Sequence, residues 1–291
     1  MLSPARAVHL IVYGIHVPEW TAALGPGAPV WAEIPEVAGV TMVPAGCDPP
    51  PSPDEFPDGT VLIPLMEPHI RSRPRGFREL APAIDAVDLL ADKRAFSDYV
   101  RARGPALQRF APRTYDRPED ATFPCLIKRT ILNGGNGIVL LRDRAHLEKI
   151  LAAPAWRDVD YILQEFIACP TDYVTHAVYR DGTMIWHCSF AHAPAGNDPI
   201  RRGGRYQDSP LFHPPAKVLA QIERFMRPLG YNGPCCIDYK IKPDGDVCVL
   251  EINPRLGGSL MKPHNVSPLA RLLRCIIGNA TQAAKLELAA L

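Results

Sequence analysis

A pair of apolar runs joined at one turn constrains this chain more than any other segment. Residues 236–255 read CIDYKIKPDGDVCVLEINPR, and the join is Asp244-Gly245. An Asp-Gly step between two apolar runs is a strong signal for a β-hairpin, because both central residues of a type I′ turn need positive φ. We therefore predict a hairpin closed by a two-residue loop.

Three oxygen-bearing side chains fall on one face of this predicted hairpin. A two-residue loop places Asp238 directly opposite Glu251, and Asn253 shares their face because strand side chains repeat every second residue. Two like charges in direct cross-strand contact destabilise a sheet unless something positive lies between them. Oxygen ligands with open coordination positions suit Mg²⁺, which keeps waters and binds phosphate oxygens. A shared proton, or neutralisation by the neighbouring Lys240, is the alternative interpretation.

The residues after the hairpin add two features that suit phosphate binding. The continuation NPRLGGS, residues 253–259, places Arg255 two positions past the asparagine. A guanidinium beside a metal-bound phosphate can make two hydrogen bonds to the transferred group, because its planar fork matches phosphate oxygens. Backbone N–H groups of Gly257, Gly258 and Ser259 would approach an anionic substrate closely.

A second segment, LIKRTILNGGNG at 126–137, has the features of a loop that covers phosphates. Lys128 ends a buried apolar run, which is a costly location for an ammonium group unless it pairs with an anion. The glycine-rich turn has the backbone freedom to close over phosphates, although it is not a Walker A sequence. An ordinary glycine-rich hairpin turn is the alternative.

A third polar segment follows a buried strand. The run ILQEFIACPTD contains Gln164-Glu165 at the strand end, with Asp172 shortly after. These residues would form the wall of a nucleobase site, with the acid near the ribose hydroxyls. Solvated polar residues at a strand end are the alternative.

The first third of the chain indicates an α/β lobe. The apolar runs at 7–14, 39–46 and 59–66 are short and continuous, as expected for strands covered on both faces. A small doubly wound lobe over residues 1–84 follows from them. No G-x-G-x-x-G sequence follows the first run, so a dinucleotide fingerprint is absent.

Candidate substrate contacts follow the first and third of these runs. Ligands of doubly wound lobes bind beyond the carboxyl ends of the strands. In this chain that position holds Gly14, His16, Glu67 and His69. We expect these residues to contact a substrate, and ordinary loop residues are the alternative.

The rest of the chain alternates helical and strand-like segments. Helical spacing of apolar residues predicts a linking helix over 85–104 that stops at Gly104. The other predicted segments are a strand, glycine-rich turn and strand over 123–143, antiparallel strands over 159–168 and 172–192, and helices over 144–153, 215–229 and 267–291.

Composition and charge exclude several classes of protein. The 291 residues carry 32 basic and 31 acidic side chains, so no electrostatic footprint for nucleic acid or an anionic membrane is visible. No stretch approaches the roughly 20 apolar residues that span a bilayer. The eight cysteines form no C-x-x-C pair and lie mostly in apolar runs, which favours a reducing cytoplasm. The oligomeric state stays open, with a homodimer among the options.

In this order, the lysine-bearing strand, the glycine-rich loop and the acid-bearing hairpin resemble the ATP-grasp superfamily of carboxylate–amine ligases, which includes D-alanine–D-alanine ligase and biotin carboxylase. The most specific part is CIDYKI…VLEINPRLGGS. The resemblance implies an α/β protein of three lobes, α+β in the two lobes that hold ATP between their antiparallel sheets. The expected boundaries are 1–84 for the N-terminal lobe, 85–166 for the central lobe and 167–291 for the C-terminal lobe.

The resemblance also implies roles for individual residues. Lys93 and Lys128 would bind ATP, and Arg255 would steady the transferred phosphoryl group and the acyl phosphate. Mg²⁺ is the implied metal, and Mn²⁺ would substitute for it. The metal ligands and remaining ATP contacts would be Asp238, Glu251 and Asn253 at Mg²⁺, Gly134, Gly135, Asn136 and Gly137 over the phosphates, Gln164, Glu165, Phe166 and Ile167 at adenine, and Asp172 at the ribose.

The chain departs from the family pattern at three points. Gln164 stands where an acid is common, and Asp172 lies about one position further along than usual. The long loop after the central strand carries Arg201, Arg202 and Arg205 in place of an obvious lysine. One of these, assigned here to Arg202 or Arg205, would contact the γ-phosphate or a substrate carboxylate. A solvated basic loop is the alternative.

The function that the resemblance implies is an ADP-forming ligase for small molecules. A substrate carboxylate would take the γ-phosphoryl group of MgATP, and an amine would then displace phosphate to give an amide, between two molecules or within one. The alternatives are a bicarbonate-dependent carboxylase or carboxyphosphate-forming enzyme, a non-catalytic ATP-binding module, and a kinase that releases a phosphorylated product. The sequence does not identify the acid or the amine.

Overall fold

Three β-sheets with helices packed on them form the part of the chain that the structure describes. The structure, a computed structural model, describes residues 7–132, 134–193, 200 and 209–289, with side chains described as far as residue 281. One sheet is parallel and two are antiparallel, which confirms the predicted mixture of α/β and α+β architecture. None of the helices in this part of the chain has the length and apolarity that crossing a membrane requires.

The N-terminal sheet is parallel, in the order β2-β1-β3. Both of its faces are covered, which explains why its strands read as continuous apolar runs. Leu10 and Val12 face the largest core cluster, whereas Ile11 and Tyr13 face a smaller one. The elements of this region are β1 (Val8–Tyr13), α1 (Pro18–Leu24), α2 (Pro29–Ala32), β2 (Val37–Val43), β3 (Val61–Pro64) and α3 (Glu67–Arg71).

The linking segment forms two helices where the sequence predicts one. Helix α4 (Ile84–Ala91) ends before Asp92, and α5 (Lys93–Ala102) begins after it. The carboxylate of Asp92 accepts hydrogen bonds from two backbone N–H groups of the first turn of α5, as a helix N-cap does. The single helix over 85–104 is therefore wrong at this residue. The break makes Lys93 the first residue of a helix, and a short α6 (Pro105–Gln108) follows.

The central sheet is antiparallel, in the order β4-β7-β5-β6. Its strands enclose a core of apolar side chains with α7 and Trp156. The strand, glycine-rich turn and strand predicted over 123–143 are confirmed. The elements are β4 (Thr114–Tyr115), β5 (Cys125–Arg129), β6 (Ile138–Leu141), α7 (Arg144–Ala152) and β7 (Tyr161–Glu165).

The C-terminal sheet is antiparallel, in the order β10-β9-β8-β11-β12. One core cluster joins this sheet to α5 and α8, and the other joins it to α9 and the N-terminal sheet. The last helix thus packs against strands of both the N-terminal and the C-terminal sheet. The elements are β8 (Asp172–Arg180), β9 (Thr183–His192), β10 (Leu211–Phe212), α8 (Ala216–Met226), β11 (Gly233–Ile241), β12 (Val247–Asn253) and α9 (Val266–Ala289).

The hairpin of β11 and β12 differs from the prediction at its turn. Asp238 pairs with Glu251 as predicted, but the loop has three residues, because Lys242 and Asp246 still share a backbone hydrogen bond of 2.9 Å. A bulge at Leu250 adds one residue to β12 and restores the register beyond it. The two-residue turn is therefore wrong, whereas the opposition of the two acids is confirmed because the two irregularities cancel.

A buried carboxylate holds the end of this hairpin. Asp246 accepts hydrogen bonds from Lys217 at 2.7 Å, from Gln221 at 2.7 Å and from Arg109 at 2.6 Å. These hydrogen bonds, led by that of Lys217, hold the pKa of Asp246 well below its ordinary value of 3.8. The charged carboxylate therefore ties α8 and the segment after α6 to the start of β12.

We predict that Asp246→Asn makes the protein less stable at neutral pH and that this deficit shrinks in acid. A carboxylate whose pKa is lowered by folding stabilises the fold above its unfolded pKa, and this stabilisation is lost as the pH falls. Thermal unfolding midpoints of both proteins between about pH 7 and pH 3 test this. Asp88→Asn is the matched control, because Asp88 pairs with Arg71 on the exposed surface, where such pairs contribute little. A deficit that does not change with pH would contradict the assignment.

Candidate active site

A cavity of about 870 Å³ opens where the three sheets meet. Its size lies in the range of sites for small molecules and nucleotides. The loops after β1 and β3, the glycine-rich loop and the hairpin all contribute to its walls. The predicted site residues that line it are His16, Lys128, Gly134, Gly135, Asn136, Glu165, Phe166, Ile167, Asp172, Asp238, Glu251, Asn253, Arg255, Gly258 and Ser259.

The three predicted metal ligands converge at one wall of this cavity. The amide nitrogen of Asn253 lies 3.0 Å from Glu251 Oε1 and 3.4 Å from Asp238 Oδ2. Two carboxylates and an amide are a donor set for a hard divalent cation such as Mg²⁺, so these residues fit the implied metal. The amide oxygen of Asn253 accepts a hydrogen bond from Arg255 at 3.2 Å. Binding an ion between the carboxylates therefore requires this amide to rotate.

Positive groups keep Glu251 ionised. Lys93 Nζ lies 3.4 Å from Glu251 Oε2 and donates a hydrogen bond of 2.6 Å to the carbonyl of Leu132. Burial alone would raise the pKa of Glu251, but Lys93, the hydrogen bond from Asn253 and the charge of Lys128 together lower it. Lys93 does not line the cavity, and its side chain acts on the site through this carboxylate.

Lys128 is a buried amine at the cavity wall. Its Nζ donates a hydrogen bond of 2.6 Å to Gln164 Oε1, and the amide of Gln164 in turn lies 3.3 Å from Thr114 Oγ1. Burial lowers the pKa of Lys128 to about 8, although Glu251 acts in the opposite direction. Gln164, which the resemblance places at adenine, thus lies behind Lys128 and outside the cavity lining.

Asp172 lines the cavity as an ion pair. Its Oδ1 lies 2.9 Å from Lys240 Nζ, which also donates a hydrogen bond of 2.6 Å to the carbonyl of Cys169. Lys240 therefore neutralises Asp172, and the alternative in which it neutralises the two acids of the hairpin is wrong. A ribose bound at this position would have to share the Asp172 carboxylate with the ammonium group of Lys240.

Arg255 joins the hairpin to the N-terminal sheet region. Its Nε lies 3.2 Å from Glu67 Oε1 at the start of α3, and both side chains are buried. Its other two nitrogens donate hydrogen bonds to the carbonyl of Leu256 at 2.8 Å and to Asn253 at 3.2 Å. The guanidinium is thus fixed in orientation beside the metal ligands.

The candidate substrate residues of the N-terminal region separate into two groups. His16 lines the cavity with its ring edge-on to Trp20, at 5.2 Å between ring centroids. Burial, followed by the charge of Arg255, lowers the pKa of His16, and Glu67 opposes this shift. His69 instead packs on Gly14, where an added Cβ would lie 2.0 Å from the ring, and neither residue lines the cavity.

Two glycines of the predicted site serve packing in the structure. A Cβ on Gly257 would lie 2.2 Å from the His176 ring, and a Cβ on Gly137 would lie 2.8 Å from the Leu132 side chain. Neither glycine lines the cavity, whereas Gly258 and Ser259 do. Arg201, Arg202 and Arg205 lie outside the described residues, so their predicted contacts stay predictions.

Sequence reasoning missed two residues that shape this site. His176 lies inside a strand with an otherwise apolar core pattern, and Trp20 lies in the first turns of α1. A buried histidine in a strand is a signal, because a polar ring needs a partner there. The pattern alone does not say which loop supplies that partner.

Solved structures of known proteins share this fold. No protein-family model and no curated protein matches the sequence. The D-alanine–D-alanine ligase of Bacillus anthracis in complex with ATP has a TM-score of 0.62 at 15% identity, over 98% of this chain and 100% of that one. The L-amino acid ligase of Bacillus licheniformis has a TM-score of 0.62 at 14% identity, over 94% of this chain and 74% of that one. Biotin carboxylase of Campylobacter jejuni has a TM-score of 0.61 at 13% identity, over 94% of this chain and 71% of that one.

These similarities assign the ATP-grasp fold to the chain over nearly its whole length. The resemblance drawn from the hairpin and the glycine-rich loop is confirmed at this level. At 11–16% identity these structural similarities establish the fold and do not establish the reaction.

We predict that the affinity for ATP falls as the pH rises through about 8. Lys128 has a pKa of about 8, so over that range it loses the positive charge that would attract phosphate. Calorimetric titration of ATP between about pH 6.5 and 9.5 measures the effect. Lys128→Met should bind ATP weakly with a flatter pH dependence, and an unchanged profile in this variant would contradict the role of Lys128.

Proposed function

We propose that the chain is an ADP-forming ligase, which uses MgATP to activate a small-molecule carboxylate and joins it to an amine. The observation that carries this proposal is the convergence of Asp238, Glu251 and Asn253 with the fixed guanidinium of Arg255 at one cavity wall. Two opposed acids beside a buried arginine match the needs of phosphoryl transfer, where charge must be held on both sides of the transferred group.

The nucleotide end of the cavity would be formed by the central and C-terminal sheets. Bound MgATP would supply the γ-phosphoryl group, with the metal neutralising its charge. Lys128 would attract the phosphates, the backbone of residues 134–136 would cover them, and the segment 165–167 would contact the base. Asp238, Glu251 and Asn253 are the residues that would hold Mg²⁺, with Mn²⁺ as a substitute.

The transfer itself would depend on Arg255. Its planar guanidinium can bind the γ-phosphoryl group and then the acyl phosphate, because the fork matches two phosphate oxygens. Glu67 would keep the Nε edge in place during both steps. Positioning and charge neutralisation are sufficient for chemistry of this kind, so no protein nucleophile is required.

Amine coupling is favoured over the other reactions of this fold. Solved structures that share it include a D-alanine–D-alanine ligase and an L-amino acid ligase, whose names describe the joining of amino acids. The cavity volume of about 870 Å³ would hold ATP together with small substrates. A cytoplasmic location and the three lobe boundaries stay predictions from the sequence.

A screen for ADP release tests the proposal. Amino acids and dipeptides, each with and without a second amine, are incubated with MgATP, and product masses are measured. Amine-dependent ADP release with an amide product supports the ligase. Release that depends on bicarbonate would indicate a carboxylase, a stable phosphorylated product would indicate a kinase, and ATP binding without turnover would indicate a binding module.

We predict that Arg255→Ala lowers the rate of phosphoryl transfer by about 10³-fold or more, as loss of a phosphate-aligned arginine does elsewhere. Single-turnover kinetics with the substrates from the screen measure this rate. Arg274→Ala is the control, because Arg274 pairs with Glu36 away from the cavity. Near-normal turnover of the Arg255 variant would remove this residue from the mechanism.

A further inference from the structure

His176 is a buried imidazole in the strand next to the metal hairpin. It pairs in β8 with Cys236 of β11, which pairs in turn with Asn253 of β12. Directly paired residues share a face of the sheet, so the imidazole stands on the same face as the metal ligands. Its ring is excluded from solvent, a costly placement unless a hydrogen bond compensates.

The hydrogen-bond partner of this imidazole is a residue of the cavity. His176 Nε2 lies 2.6 Å from Ser259 Oγ, and Ser259 lines the cavity. The ring reaches the loop because Gly257 has no Cβ, which would lie 2.2 Å from the imidazole. The side chain of Asn265 donates a hydrogen bond of 2.8 Å to the carbonyl of Ser259. Both the hydroxyl and the backbone of Ser259 are therefore held in place.

The loop that carries Ser259 follows Arg255 and packs on the hairpin strand β11, since a Cβ on Gly257 would lie 2.7 Å from Cys236 Sγ. A Cβ on Gly258 would lie 4.0 Å from Trp20 Nε1, which is an ordinary van der Waals distance, so the same loop also packs on α1.

His16 stands edge-on to Trp20, and both rings line the cavity together with Ser259. The phosphoryl group would occupy Arg255, which leaves the part of the cavity lined by these three residues for the second substrate. Burial lowers the pKa of His16, which favours its neutral form, and the carboxylate of Glu19 lines the same cavity, so this region would accept a cationic amine.

We propose that His176 is a positioning residue that fixes the Ser259 hydroxyl as the hydrogen-bond acceptor for the amine substrate. The proposal rests on the proposed ligase function and assigns its second substrate to a site. In the tautomer whose Nε2 accepts the hydroxyl hydrogen, the lone pairs of the serine oxygen are left to face the cavity. Such an oxygen binds an N–H group and would orient the amine nitrogen toward the carboxyl carbon activated at Arg255.

The test separates amine binding from activation of the acid. Ser259→Ala and His176→Leu should each lower kcat/KM for the amine roughly 10- to 100-fold, as expected for one lost hydrogen bond in a water-excluded site. ADP formation with the acid and concentrated hydroxylamine, which captures an acyl phosphate without the amine site, should stay within about threefold. His176→Gln retains an acceptor and should recover most of the amine KM.

A double-mutant cycle tests whether the two residues act as one unit. Because His176 acts through Ser259, the double variant should be no worse than Ser259→Ala alone, a clear departure from additivity. His9→Leu is the matched control, since His9 Nε2 lies 2.9 Å from Thr41 Oγ1, also a histidine–hydroxyl pair but outside the cavity. This control should leave the amine KM unchanged. Should His176→Leu fail to fold, Ser259→Ala and His176→Gln carry the same test.

Three results would overturn the proposal. Equal losses in the hydroxylamine and amine reactions would make the pair a support of Arg255, and additive effects would separate His176 from Ser259. An unchanged amine KM in Ser259→Ala would remove the hydroxyl from the site. In each case wild-type ADP release still supports the ligase, whereas a wild-type protein that forms no ADP with any acid overturns both proposals.

Discussion

Two carboxylates that face each other across a β-hairpin are the constraint on which the rest of the site depends. Asp238 and Glu251 occupy directly paired positions, where like charges destabilise a sheet. Asn253 adds its amide beside them, and Lys93 lies 3.4 Å from Glu251. The protein thus holds a concentrated negative charge at the cavity wall and partly balances it with an ammonium from another element. We propose that a divalent cation would complete this balance and bind phosphate oxygens.

Two other parts of the fold place positive side chains near these acids. Asp92 breaks the linking helix, so that Lys93 begins a new helix within reach of Glu251. Arg255 extends from the end of the hairpin to Glu67, which ties the parallel sheet to the site. Ion pairs therefore connect the hairpin to α5 through Lys93 and Glu251, and to the start of α3 through Arg255 and Glu67.

Much of this arrangement is predictable because strand patterns and short motifs are local. The opposition of Asp238 and Glu251 was predicted through a two-residue turn, and it holds only because a longer turn and a bulge at Leu250 compensate for one another. The contacts of Lys240 and Gly257 could not be predicted. Lys240 pairs with Asp172, and Gly257 accommodates the His176 ring, and both contacts join residues distant in sequence. Such contacts depend on how the strands assemble into sheets, which local sequence patterns do not specify.

We propose that the hairpin holds a divalent cation that carries a nucleotide. A crystal structure with Mn²⁺ and a non-hydrolysable ATP analogue tests this proposal, with anomalous scattering used to locate the metal. We expect a manganese peak within about 2.5 Å of oxygens from Asp238, Glu251 and Asn253 and from the analogue's phosphates, with the Asn253 amide turned toward the ion. A nucleotide bound with its metal elsewhere, or a nucleotide complex in which no metal lies between Asp238 and Glu251, would contradict this proposal.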